Sequence, residues 1–489
     1  MRTTTAGWEA VIGLEVHVQL RTATKLFCAC RNAYGEAPNS LTCPVCLGLP
    51  GALPVLNDGA VKLALALGLA LHGHVQPRST FYRKHYVYPD LPKGYQITQG
   101  PVALVEGGWL EIPGDPAVRG AEGPVRIGIA RAHLEEDSGK SSHDPGLGAS
   151  LVDLNRAGVP LVEIVGRPEL RSAQEASDYL KALHHLVGYL GICDGALEEG
   201  SLRCDANVSV RRAGSEAFGT RVEIKNLNSF RFLRQALDFE FARQVASLER
   251  GETLRPETRG WDAAAGETRP QRGKEEAADY RYLPEPDLPT LEITPGELGA
   301  VRAALPELPE ARRERLRAAH GLRPQDAELL LQSPAFADYF EAAAAASGHG
   351  QATAHWMLGE LSRILNARGC TLEALGLPPE QLGALVALVE ARELSHGAAK
   401  ERVLPALLAG EGTPRELMER FGLSQISDPG AIRDLVDRVL QAHPEQVAQL
   451  RAGRTALRGF LVGQILKASG GKADPRRVQE TLDLALADR

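Results

Sequence analysis

Strict alternation of apolar and polar residues marks the segment Ser201-Leu-Arg-Cys-Asp-Ala-Asn-Val-Ser-Val-Arg211 and, shortly after it, Arg221-Val-Glu-Ile-Lys-Asn226. A period of two predicts a pair of β-strands. The polar sides of these strands carry Arg203, Asp205, Asn207, Glu223 and Lys225. Carboxylates, an amide and cations on one side of a sheet can hold a divalent metal and phosphate oxygens together. A phosphoryl-transfer site requires that combination.

A third predicted strand, residues 11–20, repeats the pattern. Its polar face carries Glu15, His17 and Gln19 at successive spacings of roughly 6.5–7 Å, so a carboxylate and an imidazole can point at one ion. The alternative is an antiparallel sheet with its outer face in water, where polar residues serve only solubility. Residues 131–137, 151–156 and 160–163 repeat the mixture of acids, amides and arginine. This repetition favours a site, because ordinary solvent faces are richer in Lys, Thr and Ser.

The bulk properties limit the class of protein. A chain of 489 residues is long enough for about three domains. Its net charge of −7 argues against a protein that coats nucleic acid, although local basic patches remain open. No run of 18 apolar residues occurs and the N-terminus leads into a strand, which predicts a soluble, cytoplasmic protein without a membrane partner. Seven cysteines then indicate spare or metal-bound thiols in a reducing compartment.

Composition divides the chain into three predicted domains. Residues 1–292 contain nearly all strand candidates, with helices expected over 60–71, 172–190 and 230–248, which indicates an α+β domain. A helical domain is expected over residues 293–410, where Ala, Leu, Glu and Arg dominate. A break near residues 410–414 separates it from a tail domain of short helices over 411–489.

Four cysteines form a C-x-C and a C-x-x-C pair separated by a twelve-residue spacer: Cys28, Cys30, Cys43 and Cys46. This arrangement suits a tetrahedral structural zinc ion in an insertion near residues 28–46. Four sulfurs leave no open position for water, so the ion would stabilise local folding without catalysing a reaction. The alternatives are four unliganded thiols or a redox pair.

A basic, aromatic segment covers residues 81–99 and contains Arg83, Lys84 and a Pro-Lys-Gly turn. Such a segment can stack a base and grip a phosphate or a tRNA end. It could equally be an exposed turn with structural aromatics.

Taken together, these blocks resemble the GatB family, the B subunits of tRNA-dependent amidotransferases. The resemblance spans essentially the whole chain, and its motifs are long and ungapped. The matching text is Ile12-Gly-Leu-Glu-Val-His17, Cys43-Pro-Val-Cys-Leu-Gly-Leu-Pro50, Arg83-Lys-His-Tyr-Val-Tyr-Pro-Asp90, His133-Leu-Glu-Glu-Asp-Ser-Gly-Lys140, Asp153-Leu-Asn-Arg156, Glu199-Gly-Ser-Leu-Arg-Cys-Asp-Ala-Asn207, Glu223-Ile-Lys-Asn226 and Asp279-Tyr-Arg-Tyr-Leu-Pro-Glu-Pro-Asp287. The end of the chain looks like the YqeY-type tail of the same family.

The resemblance implies a glutamine-synthetase-like catalytic cradle with a mostly antiparallel sheet, followed by all-α helical and tail domains, the tail contacting tRNA. It implies a heterotrimer in which an amidase is the A subunit and a small protein is the C subunit, and the cognate aminoacyl-tRNA synthetase is a further candidate partner. The implied Mg²⁺ ligands are Glu15, His17, Glu136, Glu163, Asp205 and Glu223. Glu135 adjoins Glu136, and adjacent acids cannot share one strand face. Zinc at the four cysteines is expected.

The implied reaction converts Glu-tRNA(Gln) or Asp-tRNA(Asn) to the amidated species. Because a carboxylate is a poor electrophile, ATP must first convert it to an acyl phosphate, with Mg²⁺ neutralising the developing charge. The candidate catalytic residues are Glu136, Arg203 and Lys225. The candidate ATP-binding residues are Arg83, Lys84, Asn207, Arg272 and Lys274, with Arg156 as a further phosphate ligand.

Two other functions remain open at this point. One is a free-standing ligase for a small amino acid, against which the predicted tail domain counts, because a small substrate needs no distant docking surface. The other is a zinc-stabilised tRNA-binding module without catalysis, which leaves the clustering of acids and cations unexplained. Metal-dependent ATP turnover would separate the second alternative from an enzyme.

Overall fold

The computed structural model describes residues 4–5, 7–144, 146, 148–271, 280–425, 428–451, 453–470 and 472–487. The chain forms two compact units, Met1–Leu308 and Pro309–Arg489. The first unit mixes strands and helices, and in the described residues of the second the named elements are all helices. The predicted α+β fold followed by an all-α region is therefore confirmed. The finer division into three domains stays a prediction.

All the strands found among the described residues lie in the first unit. They are β1 (Thr4–Thr5), β2 (Trp8–Gln19), β3 (His74–Val75), β4 (Arg78–Ser79), β5 (Phe81–His85), β6 (Tyr95–Gln99), β7 (Val105–Glu106), β8 (Trp109–Pro113), β9 (Pro124–Glu136), β10 (Lys140–Asp144), β11 (Ala149–Asp153), β12 (Pro160–Gly166), β13 (Leu202–Arg212), β14 (Val222–Lys225), β15 (Glu257–Asp262), β16 (Glu267–Pro270), β17 (Leu283–Pro284) and β18 (Leu291–Glu292).

The helices of the first unit are α1 (Asp58–Ala70), α2 (Pro116–Arg119), α3 (Ala173–Tyr189), α4 (Phe230–Glu249) and α5 (Pro295–Ala304). Those of the second unit are α6 (Pro309–His320), α7 (Pro324–Leu330), α8 (Pro334–Ser347), α9 (Gly350–Trp356), α10 (Ser362–Arg368), α11 (Leu372–Leu375), α12 (Pro379–Glu390), α13 (His396–Ala398), α14 (Leu404–Leu408), α15 (Pro414–Arg420), α16 (Pro429–Ala442), α17 (Pro444–Arg451), α18 (Leu457–Ala468) and α19 (Pro475–Ala487). Two π-helical turns interrupt this unit, Met357–Leu361 and Ala399–Val403.

One large sheet organises the first unit, in the order β16-β15-β14-β13-β2-β12-β9-β6-β5-β17. Neighbours along this path pair antiparallel except β14 and β15, which run parallel. The hairpin of β13 and β14 and the long strand β2 were expected from the alternation, and both are present. The mostly antiparallel sheet is therefore confirmed.

The apolar side of the sheet forms the core. Leu14, Val16 and Val18 of β2 are buried there, and helices α3 and α4 pack against β2 and β13. Each of these two helices begins at a serine whose hydroxyl accepts a hydrogen bond from a backbone N–H of the first turn. With one face covered by helices, the polar residues of the same strands are directed to the opposite face.

The second unit contains two separate groups of buried apolar side chains. One lies among helices α6 to α15 and the other among α16 to α19. The predicted break near residues 410–414 falls in the connection between α14 and α15. Across the described part of the whole chain, no helix combines the length and apolar character needed to cross a bilayer.

Candidate functional site

Three neighbouring strands bring acids and histidines together on the polar face of the sheet. In the sheet register Glu163 of β12 lies between His17 of β2 and His133 of β9. Its carboxylate Oε2 is 3.6 Å from Nε2 of His17 and 3.8 Å from Nε2 of His133. Glu15 and Glu135 complete the cluster, which we call the metal face: Glu15, His17, His133, Glu135 and Glu163.

The metal face contains two groups that could each hold a metal ion, and Glu163 belongs to both. Glu15 and His17 form one group with it, and His133 and Glu135 form the other. Within each group, one ligand atom from every residue lies within 4.8 Å of the others. Three carboxylates supply the oxygen ligands that Mg²⁺ prefers, and two imidazoles extend the set to other divalent cations. The residues present therefore fit a divalent cation.

Burial and mutual charge shift the titration of these groups. Burial, followed by the charge of Glu163, raises the pKa of Glu15 above its ordinary value. Burial opposes the charged form of His17, but the neighbouring carboxylates of Glu163 and Glu135 together outweigh this and raise the pKa of His17. Burial likewise opposes ionisation of Glu135, yet His133, His17 and Lys84 together outweigh this and lower the pKa of Glu135 to about 2. The pKa of Glu163 is also lowered, because His17 and His133 together outweigh its burial, so the face keeps two carboxylates of lowered pKa that are only 4% (Glu135) and 8% (Glu163) exposed.

His133 was not among the predicted site residues. Within the described part of the chain its Nδ1 is buried without a hydrogen-bond partner, while its Nε2 lies 3.7 Å from Oε2 of Glu135. The sequence contained a signal for it, because His133 and Glu135 repeat the i, i+2 spacing of Glu15 and His17. That spacing predicts that His133 and Glu135 share one face of β9, and the strand register then places them beside Glu163.

Glu136, which was predicted to be a metal ligand and a catalytic residue, lies on the opposite side of β9 from Glu135. It forms an ion pair with Lys93 and accepts a hydrogen bond from the backbone N–H of Ile97 at 2.8 Å. Strand alternation is the reason, since neighbouring side chains point to opposite faces. The structure therefore does not bring Glu136 to the metal face, and its two assignments stay predictions.

A row of charged residues continues the polar face on β13 and β14. Lys225 Nζ lies 2.8 Å from Asp205 Oδ2 and 3.0 Å from Glu223 Oε1. Burial opposes its charge, but Asp205 and Glu223 outweigh this and raise the pKa of Lys225. Asp205 is paired in register with Glu15 of the metal face, and Asn207 with Glu223. Asp205 and Glu223 are thus close to the metal face, but both are ion-paired with Lys225.

Arg203 is oriented by a buried carboxylate that the sequence motifs did not single out. Its Nη2 donates to Oδ2 of Asp137 at 2.7 Å, and Gln19 donates to the same oxygen at 2.8 Å. Arg156 Nε lies 3.6 Å from this oxygen and donates to the carbonyl of Ser138 at 2.9 Å. Burial opposes ionisation of Asp137, but the charges of Arg203 and Arg156 lower its pKa. Two predicted phosphate ligands are therefore held by one ionised aspartate.

Arg203 and Arg156 line a cleft of about 790 Å³ that begins where β2 ends. One wall comes from residues 32–36 of the cysteine-bearing insertion, and another from residues 197–201. Gln19 lies both in this cleft and on the polar face of β2. A cleft with two guanidinium groups beside a metal face can accommodate phosphate oxygens.

The side chains of Arg83 and Lys84 point to opposite faces of the sheet because the two residues are adjacent in strand β5. Arg83 donates two hydrogen bonds of 2.7 Å to the buried carboxylate of Glu285. Lys84 lies with its ammonium 5.1 Å from the ring centre of Tyr280. Burial opposes the charge of Lys84, but the negative charge of Glu135 and the effects of other neighbours outweigh this and raise the pKa of Lys84. Lys84 is therefore close enough to the metal face to interact with its carboxylates. The predicted residues Arg272 and Lys274 lie outside the described residues.

The four cysteines come together as predicted. Their sulfur atoms lie within 4.8 Å of one another, and those of Cys43 and Cys46 are 3.9 Å apart. A tetrahedral zinc site with Zn–S bonds of about 2.3 Å places sulfurs about 3.8 Å apart. A hydrogen bond from the Cys28 thiol is the main cause that lowers the pKa of Cys46 to about 4, and the charge of Lys25 acts in the same direction. The cluster can therefore bind a metal such as zinc.

The fold and these sites define an α+β catalytic unit followed by a helical extension. The GatB/GatE catalytic domain matches residues 10–298, and the GatB domain matches residues 338–486. The chain belongs to the GatB/GatE family, which confirms the resemblance drawn from its motifs.

Curated relatives that match over nearly their whole length are named as the B subunit of aspartyl/glutamyl-tRNA(Asn/Gln) amidotransferase. The relative from Thermosynechococcus vestitus is 50% identical over 97% of this chain and 96% of its own. The relative from Halorhodospira halophila is 52% identical over 97% of this chain and 98% of its own. The one from Alkalilimnicola ehrlichii is 51% identical over the same two shares.

Proposed function

We propose that this chain is the B subunit of a tRNA-dependent amidotransferase. It would use ATP to phosphorylate the side-chain carboxylate of Glu-tRNA(Gln), Asp-tRNA(Asn) or both, and ammonia would then replace the phosphate. The observation that carries the proposal is the metal face beside a row of cations on neighbouring strands, in a chain whose curated relatives bear that name. Phosphoryl transfer requires both features.

The reaction proceeds in two displacements. An oxygen of the substrate carboxylate attacks the γ-phosphorus of ATP, and ADP leaves. Ammonia then attacks the acyl carbon, inorganic phosphate leaves, and the amide remains after loss of a proton. Mg²⁺, when bound, would neutralise charge on the transferring phosphoryl group.

The residues of the chain divide this work by position. The metal face would hold the cation through Glu15, His17 and Glu163, with His133 and Glu135 adjoining. Arg203, fixed by Asp137, and Lys225, between two carboxylates, would hold phosphate oxygens. Lys84 would add a positive charge on the side of β9 and β5. Positioned charges of this kind stabilise the transition state without needing to reorganise.

The proposal requires partners. Ammonia would come through an enclosed route from an amidase, the A subunit, with a small C subunit completing a heterotrimer in the cytoplasm.

The three-domain division at residues 292/293 and 410/411 belongs to the same proposal, with the 411–489 tail binding tRNA outside its acceptor end and the cysteine cluster holding structural zinc. In the helical unit the two apolar cores divide after α15, because Leu417 and Met418 of α15 belong to the first core.

The test is amidation in the complex reconstituted from this chain, the amidase and the small third protein. Wild type should convert Glu-tRNA(Gln) to Gln-tRNA(Gln) only with ATP and Mg²⁺. Glu15→Ala should abolish this conversion while glutamine hydrolysis by the amidase survives, and the exposed Glu122→Ala should behave as wild type. Amide formation by Glu15→Ala at the wild-type rate would contradict the assignment.

Two further outcomes separate the rival functions. Efficient amidation of free glutamate in place of Glu-tRNA would indicate a small-molecule ligase. Tight tRNA binding without any metal-dependent ATP turnover would indicate a binding module.

A further inference from the structure

Lys25 is a fully buried lysine beside the cysteine cluster, and it plays no part in the proposed reaction. It is 1% exposed. Its ammonium donates to the carbonyl of Leu41 at 2.8 Å and to that of Leu154 at 3.4 Å, and it lies 3.8 Å from Sγ of Cys46. A buried ammonium requires compensating negative charge, and a thiolate cluster supplies it. Lys25 thus contacts the cluster on one side and a carbonyl of the 152–158 segment on the other.

The cysteine-bearing insertion and the 152–158 segment are also joined by two asparagines. Asn39 accepts from the backbone N–H of Leu154 at 2.8 Å and donates to the carbonyl of Val152 at 3.1 Å. Asn155 accepts from the N–H of Leu41 at 2.8 Å and donates to the carbonyl of Ala37 at 2.7 Å. These reciprocal bonds occupy backbone groups on both segments. The two segments are therefore one hydrogen-bonded structure.

Gly158 connects the 152–158 segment to Asp137 at the cleft. Its backbone has φ of +85°, which favours glycine, and a Cβ there would lie 3.6 Å from Cβ of Cys46 and from Cδ of Lys25. Its carbonyl accepts from the N–H of Leu26 at 2.8 Å, and its own N–H donates to the carbonyl of Asp137 at 2.9 Å. Asp137 is the carboxylate that orients Arg203.

We propose that Lys25 is a positioning residue through which metal at the four cysteines keeps the 152–158 segment ordered, and with it Arg156 and Arg203 in the cleft. The ammonium balances part of the negative charge of a metal–thiolate centre. Its hydrogen bond to the carbonyl of Leu154 then fixes the 152–158 segment relative to that centre. The insertion would then do more than stabilise its own fold. Loss of the metal would loosen a segment more than 100 residues away in sequence, as the contact between Lys25 and Leu154 spans 129 residues.

The experiment compares hydrogen exchange of the full-length wild-type chain before and after removal of zinc with a chelator. We expect faster exchange in peptides covering residues 28–46 and also in those covering 152–158. Peptides from Glu257–Asp262, a strand of the same sheet outside these contacts, should not change. Faster exchange confined to residues 28–46, or spread to Glu257–Asp262 as well, would overturn the proposal.

A variant then assigns the effect to Lys25. Lys25→Met keeps the length of the side chain and removes its charge, and Lys181→Met is the control because Lys181 lies in an exposed ion pair with Asp178. Chelator competition should show a zinc affinity lowered about 10- to 100-fold in Lys25→Met only, the range typical of groups outside the ligand set. Lys25→Arg, which restores the charge, should recover part of the loss. Wild-type zinc affinity in folded Lys25→Met would overturn the role of Lys25, and the exchange experiment stands independently if this variant does not fold.

Discussion

Glu163 is the residue whose replacement tests the metal face most directly, because both candidate metal groups depend on it. Glu163→Gln keeps the size of the side chain and one oxygen but removes the negative charge. At an effective dielectric constant of about 20, unit charges about 4 Å apart interact by about 4 kcal/mol. The interaction with a divalent cation is larger, and desolvation offsets much of it. We therefore expect a net loss of about 2 to 3 kcal/mol, which is roughly a 30- to 150-fold weaker affinity for the cation.

The assay is a Mg²⁺ titration of ATP turnover in the reconstituted complex, with direct Mn²⁺ binding as a readout that does not depend on activity. Glu122→Gln serves as the matched control, since its carboxylate is exposed and lies just before β9, at the opposite end of that strand from His133 and Glu135. The half-saturating Mg²⁺ concentration should rise in Glu163→Gln alone. A midpoint within about threefold of wild type would refute the reasoning, because it would mean that the shared carboxylate contributes little charge to the site.

Three further predictions concern pH, zinc and phosphate. Cation affinity should be full above the raised pKa values of Glu15 and His17 and should fall as pH is lowered through them, because the cation binds only the deprotonated groups; Mn²⁺ binding at stepped pH measures this. Purified wild type should contain about one equivalent of zinc by elemental analysis, and Cys43→Ser less than about half. Lys225→Ala should raise the KM for ATP roughly tenfold, because a charge-assisted hydrogen bond contributes about 1.5 kcal/mol or more, whereas Lys181→Ala should leave it unchanged.

Alternation in the sequence predicted much of the site because the relevant strands are buried on one face only. In β2 the apolar residues Leu14, Val16 and Val18 show which alternate positions are buried. Glu15 and His17 can therefore be assigned to the other face before the fold is known. The structure confirms this phase. Alternation within one strand does not show which strands lie beside it. The position of Glu163 between two histidines therefore became clear only from the register of β2, β12 and β9.

Strand β9 shows where the choice between two adjacent acids differs from the structure, since Glu136 and not Glu135 was the expected ligand, whereas Glu135 lies on the metal face. Glu135 and Glu136 are both buried, so polarity gives no contrast between the two faces. The preceding residues carry the information, since buried Ala132 and Leu134 share the phase of Glu136, which puts Glu135 on the face with His133. Glu136 can lie on the apolar side because Lys93 pairs with it, and no sequence spacing predicts that pairing.

Charge balance explains why the acids of the polar face behave as two sets. Asp205 and Glu223 share Lys225, and Asp137 has Arg203, so each of these three carboxylates is ion-paired with a cation of the chain. The three carboxylates of the metal face have two histidines as their contact partners instead, and these lose their charge if they ligate a cation. In the proposed reaction a divalent cation would therefore bind the metal face first. Under the proposed function, a phosphate group of ATP would pair with Lys225 and so free Asp205 and Glu223 to join the ligands of that cation.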